Sequence, residues 1–134
     1  MRSLAMACFT ILALTALGGC TGGPVLVFPG GALSGEVVDP PPDDWSFVDS
    51  AFVDLETRPD DPYSVELNYF VVDGKLYVDP AESRAWLGYI REDPRVRVRF
   101  DGEVYELKAT LVAEPGHDLE GFDSKRFIYR LDPR

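Results

Sequence analysis

Two Asp-Gly pairs, Asp73-Gly74 and Asp101-Gly102, lie between runs of alternating apolar and polar residues and constrain the fold more than any other feature. Asp-Gly is a strong signal for a two-residue β-hairpin, because both turn positions need a positive φ. With the second pair at the turn, the register joins apolar to apolar and basic to acidic residues: Val98 to Tyr105, Val96 to Leu107 and Arg97 to Glu106. Such pairs stabilise an antiparallel sheet, so the chain is predicted to be mainly β.

The period of two extends along most of the chain from residue 45 onward. It predicts strands over residues 47–57, 63–72, 75–78, 95–100, 103–112 and 125–131. A polar, glycine-containing stretch over 114–123 predicts a loop before the last strand.

One short helix is predicted between the two hairpins. Its start is indicated by Asp79 as N-cap, Pro80 at the first helical position and Glu82 as the acid of a capping box. Its apolar stripe comprises Ala85, Trp86, Tyr89 and Ile90, and Asp93-Pro94 ends it.

The N-terminus has the features of a secretory signal peptide, predicted over residues 1–19. Arg2 precedes an uncharged apolar run from Leu4 to Leu17, which is shorter than the ~20 residues of a membrane-spanning helix. The run ends in Leu17-Gly18-Gly19-Cys20, which resembles the lipobox of bacterial lipoproteins, where cleavage precedes a cysteine that is then lipidated. Cys20 is therefore predicted to carry a lipid. The alternative is an ordinary signal peptide followed by an incidental cysteine.

Charge restricts the partners of the mature chain. Removing residues 1–19 leaves 12 basic against 23 acidic residues, a net charge of −11. This acidity argues against nucleic acid and against attraction to an anionic bilayer, so the predicted membrane attachment is through the lipid alone. The predicted location is the cell envelope. Because Thr21 rather than Asp follows the cysteine, the outer membrane facing the periplasm is favoured if the host is Gram-negative.

Residues 20–44 are rich in proline and glycine, including Pro40-Pro41-Pro42. They are predicted to form a tether, with a possible short strand over 33–38. The folded domain is predicted over 45–134.

Four features together resemble a known family: Leu55-Glu56-Thr57-Arg58, the Asp-Gly hairpin, Trp86 in the short helix, and Asp93-Pro94-Arg95-Val96-Arg97-Val98. They are similar to the flavin-binding split barrel of pyridoxamine-phosphate oxidase-like proteins and deazaflavin-dependent nitroreductases. The resemblance spans roughly residues 46–131. It implies a small antiparallel split β-barrel, usually a homodimer, with FMN or a deazaflavin at the dimer interface.

The resemblance also implies cofactor-binding roles, with Arg58 and Arg84 near the phosphate and Tyr77 and Trp86 beside the ring. In the deazaflavin reductases a Ser-Lys-Gly-Gly-type loop holds the phosphate, whereas this chain has Asp79-Pro80-Ala81-Glu82 at the corresponding place. Carboxylates repel phosphate, and proline lacks a backbone N–H. We therefore expect weak or no binding of FMN and at best modest binding of a deazaflavin.

The outer face of the first hairpin carries Asn68, Phe70 and Tyr77. A strand face exposed to water alone does not favour two aromatic rings, so this face is predicted to be covered. The first candidates are a second subunit, which would make Asn68, Phe70 and Tyr77 interface residues, or the helix. The other candidate is a ligand.

The remaining polar residues predict neither a metal site nor a catalytic residue. His117 is the single histidine, lies in the predicted loop beside Asp118, and has no cysteine or metal-ligand spacing to accompany it. Arg95, Arg97 and Arg99 share one strand face, which is predicted to be a solvated or dimer-rim face rather than an anion-binding patch. The sequence thus favours a non-catalytic or weakly ligand-binding envelope module. The alternative is an FMN- or deazaflavin-dependent oxidoreductase acting on a small organic substrate.

Overall fold

The computed structural model describes residues 22–134. The predicted signal peptide and the predicted lipid attachment at Cys20 fall on residues 1–21 and lie outside the described residues.

A single curled sheet contains all the strands of the described chain. In chain order they are β1 Glu36–Val37, β2 Val53–Thr57, β3 Tyr63–Leu67, β4 Phe70–Val72, β5 Lys75–Val78, β6 Arg95–Phe100, β7 Glu103–Ala113 and β8 Ile128–Pro133. Helix α1, Ala85–Glu92, lies between β5 and β6. The strand order is β3-β2-β6-β7-β8-β5-β4, and every neighbouring pair on this path is antiparallel. The two-residue strand β1 pairs in parallel with the start of β7.

The two ends of this strand path are joined by the chain itself. Strands β3 and β4 occupy opposite ends of the order, and Asn68-Tyr69 is the whole connection between them. Leu67 and Phe70 are three residue steps apart and so at most about 11 Å from each other, which requires the sheet to curl until its edges approach. The Tyr69 hydroxyl donates a hydrogen bond to the Ser50 carbonyl at 2.6 Å, and its ring lies 5.0 Å from that of Phe100. The fold is therefore a mainly β split barrel with one short helix, as the sequence predicted.

The hydrophobic core fills the inside of the curl. Alternate residues of the strands point inward and are buried, among them Leu55, Leu76, Val98 and Leu107. Trp45 is 1% exposed and packs edge-on against Tyr105, with ring centroids 4.9 Å apart. Burying an aromatic side chain of this size contributes strongly to stability.

Both predicted hairpins are present. Asp73-Gly74 has φ of 50° and 75°, and Asp101-Gly102 has φ of 49° and 80°. The predicted pairs of the second hairpin are confirmed, with Val98 opposite Tyr105, Val96 opposite Leu107 and Arg97 opposite Glu106.

Three strand boundaries differ from the prediction. The predicted strand over 63–72 is interrupted at Asn68-Tyr69, where the chain crosses from one sheet edge to the other. The strand predicted over 47–57 begins only at Val53, because its first residues form a turn in which the Val48 amide donates to the Trp45 carbonyl at 3.2 Å. The last strand, predicted over 125–131, is Ile128–Pro133.

The helix begins later than the capping pattern predicted. Its N-cap is Arg84, which makes no side-chain capping hydrogen bond, so the capping roles of Asp79 and Glu82 are wrong. Pro80 is buried, and its carbonyl accepts a hydrogen bond from the Phe127 amide at 3.2 Å. This bond ties Pro80 to the chain just before β8, and a turn follows in which the Arg84 amide donates to the Ala81 carbonyl at 3.0 Å. The buried helix face is Trp86, Leu87 and Ile90, whereas Ala85 is exposed.

Part of the segment predicted as a tether packs against the sheet. Leu33 is 3% exposed, and its amide donates a 2.6 Å hydrogen bond to Oε2 of Glu56. The short strand predicted over 33–38 is confined to Glu36–Val37. No helix between residues 22 and 134 has the length and apolar content needed to cross a bilayer.

Candidate functional site

A groove of about 670 Å³ lies between strand β3 and the segment leading into helix α1. Its β3 wall includes Tyr63, Val65, Leu67 and Asn68, and its opposite wall includes Asp79, Pro80, Ser83, Arg84, Ala85 and Trp86. Residues Leu26, Val27, Phe28 and Pro29 form a third wall, and Glu66, Phe52 and Arg126 complete the lining. Most of the lining residues are apolar, but polar and apolar atoms contribute similarly to its surface, so the groove offers both kinds of contact to a small molecule.

The groove lining carries two arginines, Arg84 and Arg126, and two carboxylates, Glu66 and Asp79. Arg84 is exposed and forms no ion pair with any residue between 22 and 134. Arg126 is half-buried, and its Nη1 donates to the Asp79 carbonyl at 3.2 Å. Its Nε lies 3.8 Å from Oδ2 of Asp123, too far for a strong hydrogen bond. Both guanidinium groups therefore retain donors for an acidic or carbonyl-bearing ligand.

Asp79 is a carboxylate of the groove lining, and its pKa is shifted from the usual value. Burial raises the pKa of Asp79, while the neighbouring Arg126 acts in the opposite direction. A carboxyl group with a raised pKa takes up its proton at a higher pH than an ordinary carboxyl group does. Once it is protonated, it no longer repels an anionic ligand. The groove therefore becomes more favourable to anions as the pH falls.

Arg58, predicted to hold a cofactor phosphate, is not part of the groove lining. Its guanidinium carbon lies 4.1 Å from the ring centroid of Tyr89 and 5.6 Å from that of Tyr63. Its Nη2 lies 3.6 Å from Oδ2 of Asp61. Cation–π contacts and a long ion pair thus engage this arginine, while its buried Nε has no hydrogen-bond partner among the described residues.

Tyr77 and Phe70 face each other across the β4–β5 pair, as the hairpin register predicted. Phe122, from the loop before β8, lies over both, with its ring centroid 5.4 Å from each. The cover over this face within one chain is therefore Phe122 rather than the helix. Asn68, predicted to belong to the same face, is exposed and lines the groove instead.

Trp86 and Arg84 are the predicted cofactor residues that the fold brings together. Trp86 is 6% exposed, so its ring does not present an open plane for stacking. Tyr77 is covered by Phe122, and Arg58 lies outside the groove lining. Within one chain, the four residues predicted to bind a flavin do not form one site, since only Arg84 and Trp86 line the groove.

The arginine row of β6 is occupied by contacts within the chain. Nη2 of Arg99 lies 2.8 Å from Oδ2 of Asp54, and Nη1 of Arg97 lies 3.3 Å from Oε2 of Glu56. Their guanidinium groups also donate to the Ser34 and Leu33 carbonyls at 3.1 and 3.4 Å. The prediction of a solvated or dimer-rim face is therefore wrong for Arg97 and Arg99.

Glu106, which faces Arg97 across the strands, forms its ion pair with Arg134 at 3.0 Å instead. The sequence missed this arrangement, because both partners of Arg97, Glu56 and Leu33, are distant from it along the chain.

His117 has a local structural role. Its Nδ1 accepts a hydrogen bond from the Leu119 amide at 3.2 Å, and its Nε2 lies 3.1 Å from the Arg126 carbonyl. Over residues 22–134, no group of three or more histidine, cysteine or carboxylate side chains is placed to hold a metal ion.

The sequence did not single out Arg126 or residues 25–28 as part of a site. Arg126 lies in a loop, where nothing in the local pattern indicates its direction. Val25-Leu26-Val27-Phe28 did carry a signal, because four consecutive apolar residues are unusual in a glycine- and proline-rich stretch.

Comparisons with known proteins add little beyond the fold. No family model matches the chain, and no curated protein matches it. One solved structure with a similar shape is a protein from Listeria innocua provisionally described as a pyridoxamine 5′-phosphate oxidase. The two are 14% identical with a TM-score of 0.47, and the match covers 63% of this chain and 84% of the other.

Proposed function

We propose that this chain is a lipid-anchored envelope protein whose split barrel binds a small, mainly apolar molecule without transforming it. In this proposal the lipid on Cys20 holds the protein at the membrane, in a Gram-negative host the outer membrane facing the periplasm.

The anchoring part rests on the sequence. The signal-like run, the Leu17-Gly18-Gly19-Cys20 segment and the net charge of −11 after cleavage all favour attachment through acyl chains rather than through the protein surface. A Cys20→Ser variant should be released from washed membranes or remain uncleaved. A cleaved variant that stays bound after a salt wash would contradict the anchor.

The groove carries the binding part of the proposal. Its lining combines mostly apolar residues with Arg84 and Arg126 and with the carboxylates Glu66 and Asp79, and its volume of about 670 Å³ is in the range of small-molecule pockets. The ligand class that suits this lining has an apolar body and one acidic or carbonyl group.

Anilinonaphthalene sulfonate is a suitable probe, because it combines apolar rings with one anionic group. Its fluorescence should report binding to the full-length protein. We expect Arg84→Gln to weaken the affinity about fivefold, since an exposed charged contact of this kind is worth about 1 kcal/mol. Lys75→Gln, which removes an exposed cation outside the groove lining, is the matched control and should leave the affinity unchanged. Equal effects of the two variants would place the probe elsewhere.

The alternative is a flavin- or deazaflavin-dependent oxidoreductase, which the split-barrel sheet itself favours. Titration of the full-length protein with FMN and with a deazaflavin decides between the two functions. The placement of Arg58, Tyr77 and Trp86 leads us to expect weak or no binding. Submicromolar binding that is lost in Arg58→Ala would establish the redox function instead.

A further inference from the structure

The proposed function leaves one exposed surface unexplained. Residues Val25, Leu26, Val27 and Phe28, here called the apolar tip, are between 63% and 89% exposed. Val25 and Phe28 exchange two backbone hydrogen bonds of 3.1 and 2.9 Å, so the four residues form a closed turn. Four consecutive exposed apolar residues are costly in water and mark a contact surface.

The base of the apolar tip is fixed to the barrel. The Gly30 and Ser64 backbones exchange hydrogen bonds of 2.9 and 2.8 Å, and the Ser64 hydroxyl donates to the Gly31 carbonyl at 2.7 Å. The backbones of Gly23 and Gly30 lie in contact, so close that a Cβ added to Gly30 would overlap the Gly23 backbone. The apolar tip is thus attached to strand β3 by the hydrogen bonds between residues 30–31 and Ser64.

The position of the apolar tip in the chain indicates what it contacts. Val25 lies five residues after Cys20, a separation of at most about 17 Å even when fully extended. A lipid on Cys20 would therefore bring the apolar tip to the bilayer surface. Because the mature chain is acidic, anionic headgroups offer it no attraction, and a second membrane contact has to be apolar.

We infer that the apolar tip inserts into the membrane interface beside the lipid on Cys20. This inference rests on the proposed lipid anchor, and its partner is a lipid surface rather than a protein. Since Leu26, Val27 and Phe28 also line the groove, insertion would hold the groove next to the bilayer. The anchored barrel would then have a fixed orientation instead of rotating freely on its lipid.

A tryptophan at the centre of the apolar tip tests this directly. Val27→Trp, in the full-length protein mixed with phosphatidylcholine vesicles, should give blue-shifted emission that brominated acyl chains quench. The native Trp45 and Trp86 are 1% and 6% exposed, so their emission is a constant background. Val72→Trp places a tryptophan at an exposed position in strand β4, outside the groove lining, and should show neither effect.

The outcomes separate this inference from the proposed anchor. The mass of the N-terminal residue reports whether Cys20 carries a lipid, independently of the fluorescence. In protein that carries the lipid, bilayer quenching of the Val27→Trp variant supports insertion and an unquenched signal overturns it. A chain without the lipid overturns the proposed anchor, and this inference with it. A blue shift before vesicles are added also overturns it, because the apolar tip would then be buried in the groove or against a second copy.

Discussion

Replacing Glu56 by Ala should detach the segment before β2 from the barrel. The Glu56 side chain is 4% exposed and accepts hydrogen bonds from the Leu33 amide at 2.6 Å and from Nη1 of Arg97 at 3.3 Å. Its removal leaves the amide of a buried residue without its carboxylate partner, which costs about 1–3 kcal/mol. It also leaves Arg97 without its ion pair. Because the Arg97 side chain is 22% exposed and gains some hydration, we place the total loss near 3 kcal/mol, the lower end for a broken buried pair.

Urea unfolding followed by the fluorescence of buried Trp45 measures this loss, and limited proteolysis shows whether residues 22–44 become accessible. Glu66→Ala removes an exposed carboxylate from neighbouring strand β3 and is the matched control. The double variant Glu56→Ala/Arg97→Met should recover part of the loss, because no buried charge is then left unpaired. If Glu56→Ala unfolds within about 0.5 kcal/mol of Glu66→Ala, the buried pair does not hold the segment.

Other perturbations test separate parts of the structure. Phe122→Ala should lower the free energy of unfolding by roughly 1–2 kcal/mol, because it uncovers Phe70 and Tyr77, while Leu119→Ala in the same loop should change it little. Hydrogen bonds from Arg95 lower the pKa of Asp93 to about 2, so the contribution of Asp93 to stability is present above pH ~4 and is lost as the pH falls through about 2. NMR titration should show the lowered pKa, and Asp93→Asn should abolish this loss of stability at low pH. Burial and the neighbouring Glu103 raise the pKa of Tyr105 to about 12, so the contribution of Tyr105 to stability is present below pH ~10 and is lost as the pH rises through about 12. The tyrosinate absorbance that develops at this high pH should disappear in Tyr105→Phe. The homodimer stays a prediction that light scattering tests, and a well-folded monomer of the unmodified protein would contradict it.

The turns and strand faces could be predicted because their signals are local. Asp101-Gly102 fixes the β6–β7 register through the positive φ that both turn residues adopt, and alternation then decides which side chains enter the core. The crossing at Asn68-Tyr69 was missed, since an unbroken alternating pattern over 63–72 does not reveal that the sheet edge changes there.

The groove and the N-terminal contacts could not be predicted, because they depend on pairs distant in the chain. Asp79-Pro80 has the pattern of a helix start, yet the bond from Phe127 holds Pro80 outside the helix. A glycine- and proline-rich stretch has the composition of a linker, and its packing depends on Glu56 and Arg97, which belong to two different strands.

Mass spectrometry of the intact protein, purified from membranes under non-denaturing conditions, tests the central claim most directly. It reports the N-terminal residue, any covalent lipid and any tightly bound cofactor in one spectrum. The account predicts a chain that begins at Cys20, carries acyl modification and has no flavin or deazaflavin attached. An unmodified chain starting elsewhere, or one cofactor bound to each chain, would contradict it.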